Sequence, residues 1–294
     1  MKRTVIFSSV CAALALLLLV WGFSTQGTVP AGIRIMGALL LVEDDTGTYL
    51  MQLRKGLQEA VQARGGTLSV ERLSDFDPGR PAAAYDGYNA IYLLSDSPGD
   101  YLPALHERGL PVIVLGKEVR GESCVLPDEQ EGGRGMGSYL NGILPGGHLL
   151  IISGEPQDSR EELRINGLAD GLGNLPYTRL DPETLKKTRT EWASAILALS
   201  DGALDAAMKL QGESGLPVFA FDAVDTRVEL MEAGRLSAVS ADNPYALGYL
   251  AGGLLDEIDY RGLSPTMRLS PRQVVTRQNM YDAANVKLIF PLLH

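Results

Sequence analysis

Short apolar runs alternate along this chain with stretches whose apolar residues fall three and four positions apart. Residues 33–42 are almost continuously apolar, the mark of a strand covered on both faces. Tyr49, Leu50, Leu53, Leu57, Ala60 and Val61 then share one helical face, and Gly65-Gly66 closes that helix. The rhythm predicts further strands over 68–73, 90–94, 112–115, 148–153, 195–199, 217–221 and 236–240. Helical spacing separates them over 101–108, 132–140, 160–172, 203–210, 228–233 and 245–258. Two short late strands are expected at 274–276 and 286–290. Strands alternating with helices predict parallel sheets covered by helices on both sides. The strands are too many for one sheet of ordinary size, so two α/β lobes are expected.

The first residues break this pattern. Lys2 and Arg3 precede an apolar run over 5–23, interrupted by Ser8 and Ser9. A positive start followed by an apolar stretch is the pattern of an export signal. The run is also long enough to cross a bilayer, which takes roughly 17–25 residues. Two outcomes stand. Gly22 and Ser24 have the small-residue spacing of a cleavage site after Ser24, whereas the lack of Ala-x-Ala suits an uncleaved anchor. Both place the bulk of the chain on the outer side, because the positive end stays inside. Residues 25–32, small and polar with Pro and Gly, read as a linker.

Composition narrows the function classes. The 294 residues are 45% apolar and 21% charged, the balance of a globular chain able to bury its own core. The net charge of -10 comes with no basic stripe, which argues against nucleic acid as a partner. Of the two cysteines, Cys11 lies in the apolar run, leaving Cys124 alone in the exported part as a small buried hydrophobe. His106, His148 and His294 have no metal-ligand spacing with each other or with Cys, Asp or Glu. Phosphate-loop and nucleophile-elbow motifs are absent, and Gly132-Gly133-Arg134-Gly135 reads as a tight helix start rather than a dinucleotide loop. No nucleophile–base arrangement is readable, so neither catalysis nor a cofactor is expected.

Ligands of open parallel sheets bind beyond the carboxyl ends of the strands. Those ends carry Glu43-Asp44-Asp45-Thr46-Gly47-Thr48-Tyr49, Ser95-Asp96-Ser97, Gly116-Lys117, Ser200-Asp201, Phe221-Asp222 and Asp242-Asn243-Pro244. Arg164-Ile165-Asn166-Gly167-Leu168 lies on the helix after strand 148–153. In this order, over about residues 33–279, the segments resemble the type I periplasmic binding proteins. This is the sugar-receptor group related to ribose- and galactose-binding proteins and to the ligand cores of LacI-type repressors. No helix-turn-helix precedes the core here; the export segment stands in its place.

The resemblance implies two doubly wound parallel-sheet lobes of the periplasmic binding protein-like I fold, preceded by one N-terminal hydrophobic helix. Residues 33–127 with 243–270 would form the N-terminal lobe, and 128–242 with 271–294 the C-terminal lobe. Three crossings would act as the hinge around a ligand cleft. Arg164 matches the family's ligand-binding arginine, whose planar fork suits vicinal hydroxyls or a carboxylate. Asp222 matches the aspartate that accepts from sugar hydroxyls. Taken alone, Arg164 reads equally as a surface or inter-lobe ion pair, and Asp222 as a helix N-cap. Asp45, Tyr49, Lys117, Ser200 and Asp242 fall around the same cleft. Several of these depart from the family's pattern. Gly116-Lys117 stands where Asp-Arg is usual, Ser200 replaces an Asn, Asp242 replaces a Gln, and Thr48-Tyr49 keeps one aromatic of a pair to stack on a sugar face. Residues 181–194 are short for the helix the family has there. Changed polar partners imply a changed ligand. The function implied is an extracytoplasmic solute-binding protein taking a small polar ligand, carbohydrate by resemblance, for an ABC permease or a membrane sensor. The alternative is a membrane-tethered sensory or structural module with a degenerate cleft.

Overall fold

The computed structural model describes residues 37–43, 47–77, 85–154, 159–261 and 267–290, with the backbone alone for residue 225 and residues 255–261. The export segment 1–24, the linker 25–32 and Asp45 lie outside these residues. Among the described residues the strands form two six-stranded sheets. The first holds β1 (Ala38–Val42), β2 (Leu68–Arg72), β3 (Ala90–Leu94), β4 (Val112–Leu115), β5 (Ser123–Pro127) and β11 (Met267–Ser270), in the order β11-β5-β4-β3-β1-β2. All of its pairings are parallel, with Ala38 opposite both Leu68 and Ala90. The second holds β6 (Leu149–Ile152), β7 (Tyr177–Leu180), β8 (Ala195–Ala198), β9 (Val218–Phe221), β10 (Ala238–Ala241) and β12 (Gln273–Thr276), in the order β12-β10-β9-β8-β6-β7. It is parallel except for the antiparallel edge pair β10–β12.

Burial explains the continuous apolar runs. Every residue of β1 is buried, and its side chains alternate between two clusters. Ala38, Leu40 and Val42 meet helices α1 (Thr48–Gln62) and α8 (Pro244–Arg261) through Leu53, Leu57, Leu247 and Ala251. Leu39 and Leu41 meet the other layer, which includes Leu102 and Leu105 of the short α2 (Leu102–His106). The second lobe repeats the plan. Leu149 and Ile151 face α3 (Glu129–Ile143) and α4 (Ser159–Leu172), with Met136, Leu140, Leu168 and Leu172 between them. Leu150 and Ile152 face α6 (Asp201–Ser214), α7 (Asp225–Glu232) and α9 (Ala283–Ile289); α5 (Pro182–Leu185) is a single turn. Cys124 is buried as a free thiol that accepts from the Val119 backbone N–H at 3.4 Å. Among the described residues no helix is long and apolar enough to cross a membrane.

The chain passes between the sheets three times: after β5 into α3, after β10 into α8, and between β11 and β12. Close helix pairs fix what stands at these crossings. Gly133 of α3 and Gly167 of α4 face each other's helix so closely that a Cβ on either would run into the opposite backbone carbonyl. That approach sets the first turn of α3, with Glu129, beside Arg164 of α4.

Three sequence expectations need correction. Residues 286–289 are helix rather than strand, with Phe290 at the helix C-cap, because the buried Asn285 and Ile289 fall four apart while Val286, Leu288 and Phe290 only imitate alternation. Gly132-Gly133 lies inside α3, whose start is capped four residues before Gly132 by the Asp128 carboxylate accepting from the Glu131 backbone N–H. Strands β5, β7 and β11 went unread: β7 and β11 are edge strands with exposed or half-buried residues, and β5 ends half-buried at Pro127.

Candidate functional site

β9 ends in Phe221, and the chain turns sharply at Asp222, whose φ of 65° lies in the left-handed region. An aspartate tolerates this better than most residues, but it remains an uncommon state held by its surroundings. The Asp222 backbone N–H donates to the Ser240 carbonyl at 2.9 Å. Its carboxylate does not cap α7; the cap position there is Val224. Instead it accepts from Arg164 Nη2 at 3.1 Å to each oxygen and from Arg272 Nη2 at 2.6 Å. Glu129, in the first turn of α3, accepts from Arg164 Nε at 2.7 Å and Nη2 at 3.1 Å, and lies 3.1 Å from Arg272 Nη1. Arg164 Nη1 donates to the Leu199 carbonyl at 2.5 Å. Both guanidinium groups lie over the Phe221 ring, at 4.5 and 5.6 Å.

The result is a closed square of two carboxylates and two arginines, supplied by α3, α4, the β9 end and the third crossing. Burial disfavours the charge on Asp222, yet Arg272 and then Arg164 outweigh it and hold the carboxyl at about 2. Burial likewise works against charge on Arg164 and Arg272, but Asp222 and Glu129 push both guanidinium groups above their ordinary value.

Above this square lies a cavity of about 370 Å³ between the lobes. The second lobe contributes Glu129, Arg160, Asp201, Asp222, Arg227, Asp242 and Leu288 to its wall; the first contributes Gly47, Thr48, Tyr49, Gln52 and Gly116. Arg227, on α7, pairs with Asp201 and donates to the Asp222 carbonyl at 3.2 Å. Burial, helped by Arg164 and Arg272, lowers its guanidinium to about 10. Asp242, just past β10, is 9% exposed, and no side chain among the described residues donates to its carboxyl. Burial raises that carboxyl to about 6; Arg272 opposes the rise, and Asp222 and Glu129 add to it. Burial also pushes the Tyr49 hydroxyl well up, with Asp242 and Asp222 adding to the effect.

The sequence-predicted residues divide accordingly. Asp222, Asp242 and Tyr49 stand together at the wall. Arg164 sits beneath it, 3% exposed, neither a surface pair nor an inter-lobe one. Ser200 is not part of the wall, its hydroxyl buried without a partner among the described residues, while its neighbour Asp201 faces the cavity. Lys117 points outward and donates to the Asp96 carbonyl at 2.5 Å; Gly116 takes the wall position. Sequence reasoning missed Glu129, Arg227 and Arg272. A lone arginine in the third crossing, Ser270-Pro271-Arg272, was the available signal.

The comparisons agree with this architecture. A family model described as periplasmic binding protein domain matches residues 38–258. No curated protein sequence matches significantly. Among solved structures, the arabinose-binding protein AraP of Geobacillus stearothermophilus is similar over 83% of this chain and 98% of its own, with 14% identity and a TM-score of 0.69. The glucose-galactose binding protein GanP of the same organism is similar over 84% of this chain and 99% of its own, with 17% identity and a TM-score of 0.64. A Caulobacter myo-inositol binding protein, bound to myo-inositol, is similar over 88% of this chain and 99% of its own, with 20% identity and a TM-score of 0.61. At these identities the likeness is one of fold. With both lobes and all three crossings in place and a family model spanning well over half the chain, this protein belongs to the periplasmic binding protein domain family.

Proposed function

We propose that this chain is an extracytoplasmic solute-binding protein that closes on a small polar ligand, a sugar or sugar-like molecule, for ABC-type uptake or sensing. The observation that carries the reading is the inter-lobe cavity of about 370 Å³, floored by the carboxylates of Glu129, Asp222 and Asp242. Pockets for small ligands begin at roughly 300 Å³, and several carboxylate acceptors in one wall suit a ligand with several donors. Hinge closure at the three crossings would bring Tyr49 onto a ligand resting on the second lobe. The similar proteins described above bind arabinose, glucose and galactose, or myo-inositol, which are polyhydroxylated ligands of this kind. Residues 33–127 with 243–270 would move as one body and residues 128–242 with 271–294 as the other. Export rests on Lys2, Arg3 and the apolar run 5–23, whether that run is cleaved or stays as an anchor. No catalytic step is part of the reading.

A specific observation favours a second reading, a tethered sensory or structural module with a degenerate cleft. Each of the three Arg164 nitrogens already donates to a protein oxygen, and Lys117 is turned away. The two readings separate in a thermal-shift screen of the full chain with mono- and disaccharides, polyols, nucleosides and amino acids. A ligand at about a hundred times its Kd stabilises the folded state by about 2.7 kcal/mol, a rise of several degrees. The binding reading expects such a rise, abolished by Asp222→Asn. A folded chain that responds to nothing in the panel belongs to the second reading.

A further inference from the structure

Charge pairing around the cavity leaves one group over. Glu129 and Asp222 share Arg164 and Arg272, and Asp201 takes Arg227, which also lies 3.9 Å from Asp222. Arg160, the other cation at the wall, is not free. Asp242 has no ion-pair partner among the described residues, although its side chain is nine-tenths buried and faces the cavity. The groups that face it are Tyr49 from α1, Glu129 from α3, Asp222 after β9, Arg227 from α7 and Arg272 from the third crossing. Two of these are carboxylates. The arginines among them are committed to Glu129, Asp222 and Asp201.

Closure brings no relief from the first lobe. Its described wall residues, Gly47, Thr48, Tyr49, Gln52 and Gly116, carry no positive charge, and its nearby Lys117 is held outward by the Asp96 carbonyl. A neutral sugar could give Asp242 a hydroxyl donor, but no counter-charge of its own. An ammonium group gives both the donor and the counter-charge, and charge-assisted hydrogen bonds are roughly twice as strong as neutral ones.

We infer that the cleft selects a hydroxylated amine, an amino sugar or amino polyol, with Asp242 receiving its ammonium group and Asp222 and Glu129 its hydroxyls. The inference rests on the solute-binding reading and names the ligand class of that same site. Binding of the cation favours ionised Asp242, so a proton leaves as the ligand enters near pH 6, where the free carboxyl titrates.

The test uses matched pairs of probes on the full chain: 1-amino-1-deoxy-D-glucitol against D-glucitol, and D-galactosamine against D-galactose. Affinity is read by isothermal titration and thermal shift. The amine of at least one pair is expected to bind about tenfold or more tighter than its neutral partner at about pH 7, a preference that falls about tenfold by about pH 5 as Asp242 protonates. Asp242→Asn, which keeps the shape and removes the charge, should bind amine and neutral partner alike. Neutral members that bind as well as the amines, or a preference that survives in Asp242→Asn, overturn the inference and leave the solute-binding reading standing. No binding by any of the four probes overturns the inference as well, and the wider screen then decides the solute-binding reading. The pH dependence of the unaltered chain is read without any variant, so a folding failure of Asp242→Asn does not stop the test.

Discussion

The two lobes share one plan and differ where they face each other. Each has a doubly covered parallel sheet, and in each a glycine-lined helix pair is pressed together, α1 with α8 in the first lobe and α3 with α4 in the second. Gly56 and Gly248 do in the first what Gly133 and Gly167 do in the second. Yet the first lobe's side of the cavity is a neutral surface of Gly47, Thr48, Tyr49, Gln52 and Gly116, whereas the second lobe's side is built from ion pairs. The framework is therefore symmetric and the chemistry is not. A ligand would be captured by the second lobe and covered by the first.

The largest expected effect lies in the buried square. Arg272→Ala removes a side chain with no exposure and leaves Asp222 and Glu129 sharing Arg164, with only Arg227 Nη1, 3.9 Å from Asp222, beside them. Breaking a buried pair from one side typically costs about 3–5 kcal/mol, because an uncompensated charge stays behind. The melting temperature should fall by about 10 °C, at about 2–4 °C per kcal/mol for a chain of this size. Replacing the whole square by apolar residues should cost much less, since removing both partners leaves no charge stranded. Lys117→Ala, at the matching strand end of the first lobe, should leave the melting temperature almost unchanged, its amine being on the surface. Equal losses at Arg272 and Lys117 would break the asymmetry.

Next comes pH. The folded-state value of about 6 for Asp242 lies above its ordinary 3.8, so the fold favours the protonated form. Its contribution to stability is full below about 3.8 and is lost as pH rises through about 6. At about 1.4 kcal/mol per pH unit, the loss above pH 6 is at most about 3 kcal/mol. Asp242→Asn should therefore melt several degrees higher than the unaltered chain at about pH 8, and at the same temperature at about pH 4. Asp222 runs the other way. Its carboxyl sits at about 2, so its contribution is present above 3.8 and fades as pH falls through about 2. Urea unfolding of Asp242→Asn and of the unaltered chain across this range reads the first effect directly.

Helix packing gives a smaller and symmetric effect. Gly167→Ala in the second lobe and Gly248→Ala in the first each force a methyl group against a facing backbone. Overpacking costs about 1–3 kcal/mol, and the two losses should match in denaturant unfolding. Their functional effects should differ. Gly167→Ala moves α3, and with it Glu129, off Arg164; Gly248→Ala leaves the ion pairs untouched.

What was legible in the sequence follows the same division. The framework was read because burial on both faces writes itself as continuous apolar runs, as in residues 38–42 and 149–152, and helix faces as Leu53-Leu57-Val61. Asp222 and Asp242 were singled out because strand ends are the positions where open α/β sheets hold ligands and because the family resemblance marks both places. Glu129 and Arg272 were not, because they meet only through the crossings. Glu129 looks like an ordinary acidic first turn, and Arg272 lies far along the chain from every partner it touches. Edge strand β7 was missed for a related reason: Tyr-Thr-Arg-Leu, exposed or half-buried throughout, carries no alternation.

A small loss of stability tests how the two unlike walls meet. Gln52, buried on α1 of the first lobe, donates Nε2 to the Lys287 carbonyl at 3.0 Å and the Leu288 carbonyl at 3.4 Å. Both acceptors lie near the end of α9, which packs on the second lobe's core through Leu288 and Ile289. Carbonyls at a helix C-terminus lack partners within the helix, so a side-chain amide satisfies them well. A single neutral hydrogen bond is worth about 1 kcal/mol, and Gln52→Ala should cost about that in denaturant unfolding. The bond spans the cleft rather than lying within one lobe, so its loss should show mainly in lobe separation. The ligand-free variant should have a larger radius of gyration in solution scattering than the unaltered chain, and faster hydrogen exchange over 286–290. A variant that lost stability with no change in scattering would mean that Gln52 merely packs. The neutral wall would then cover the cleft without holding the lobes together.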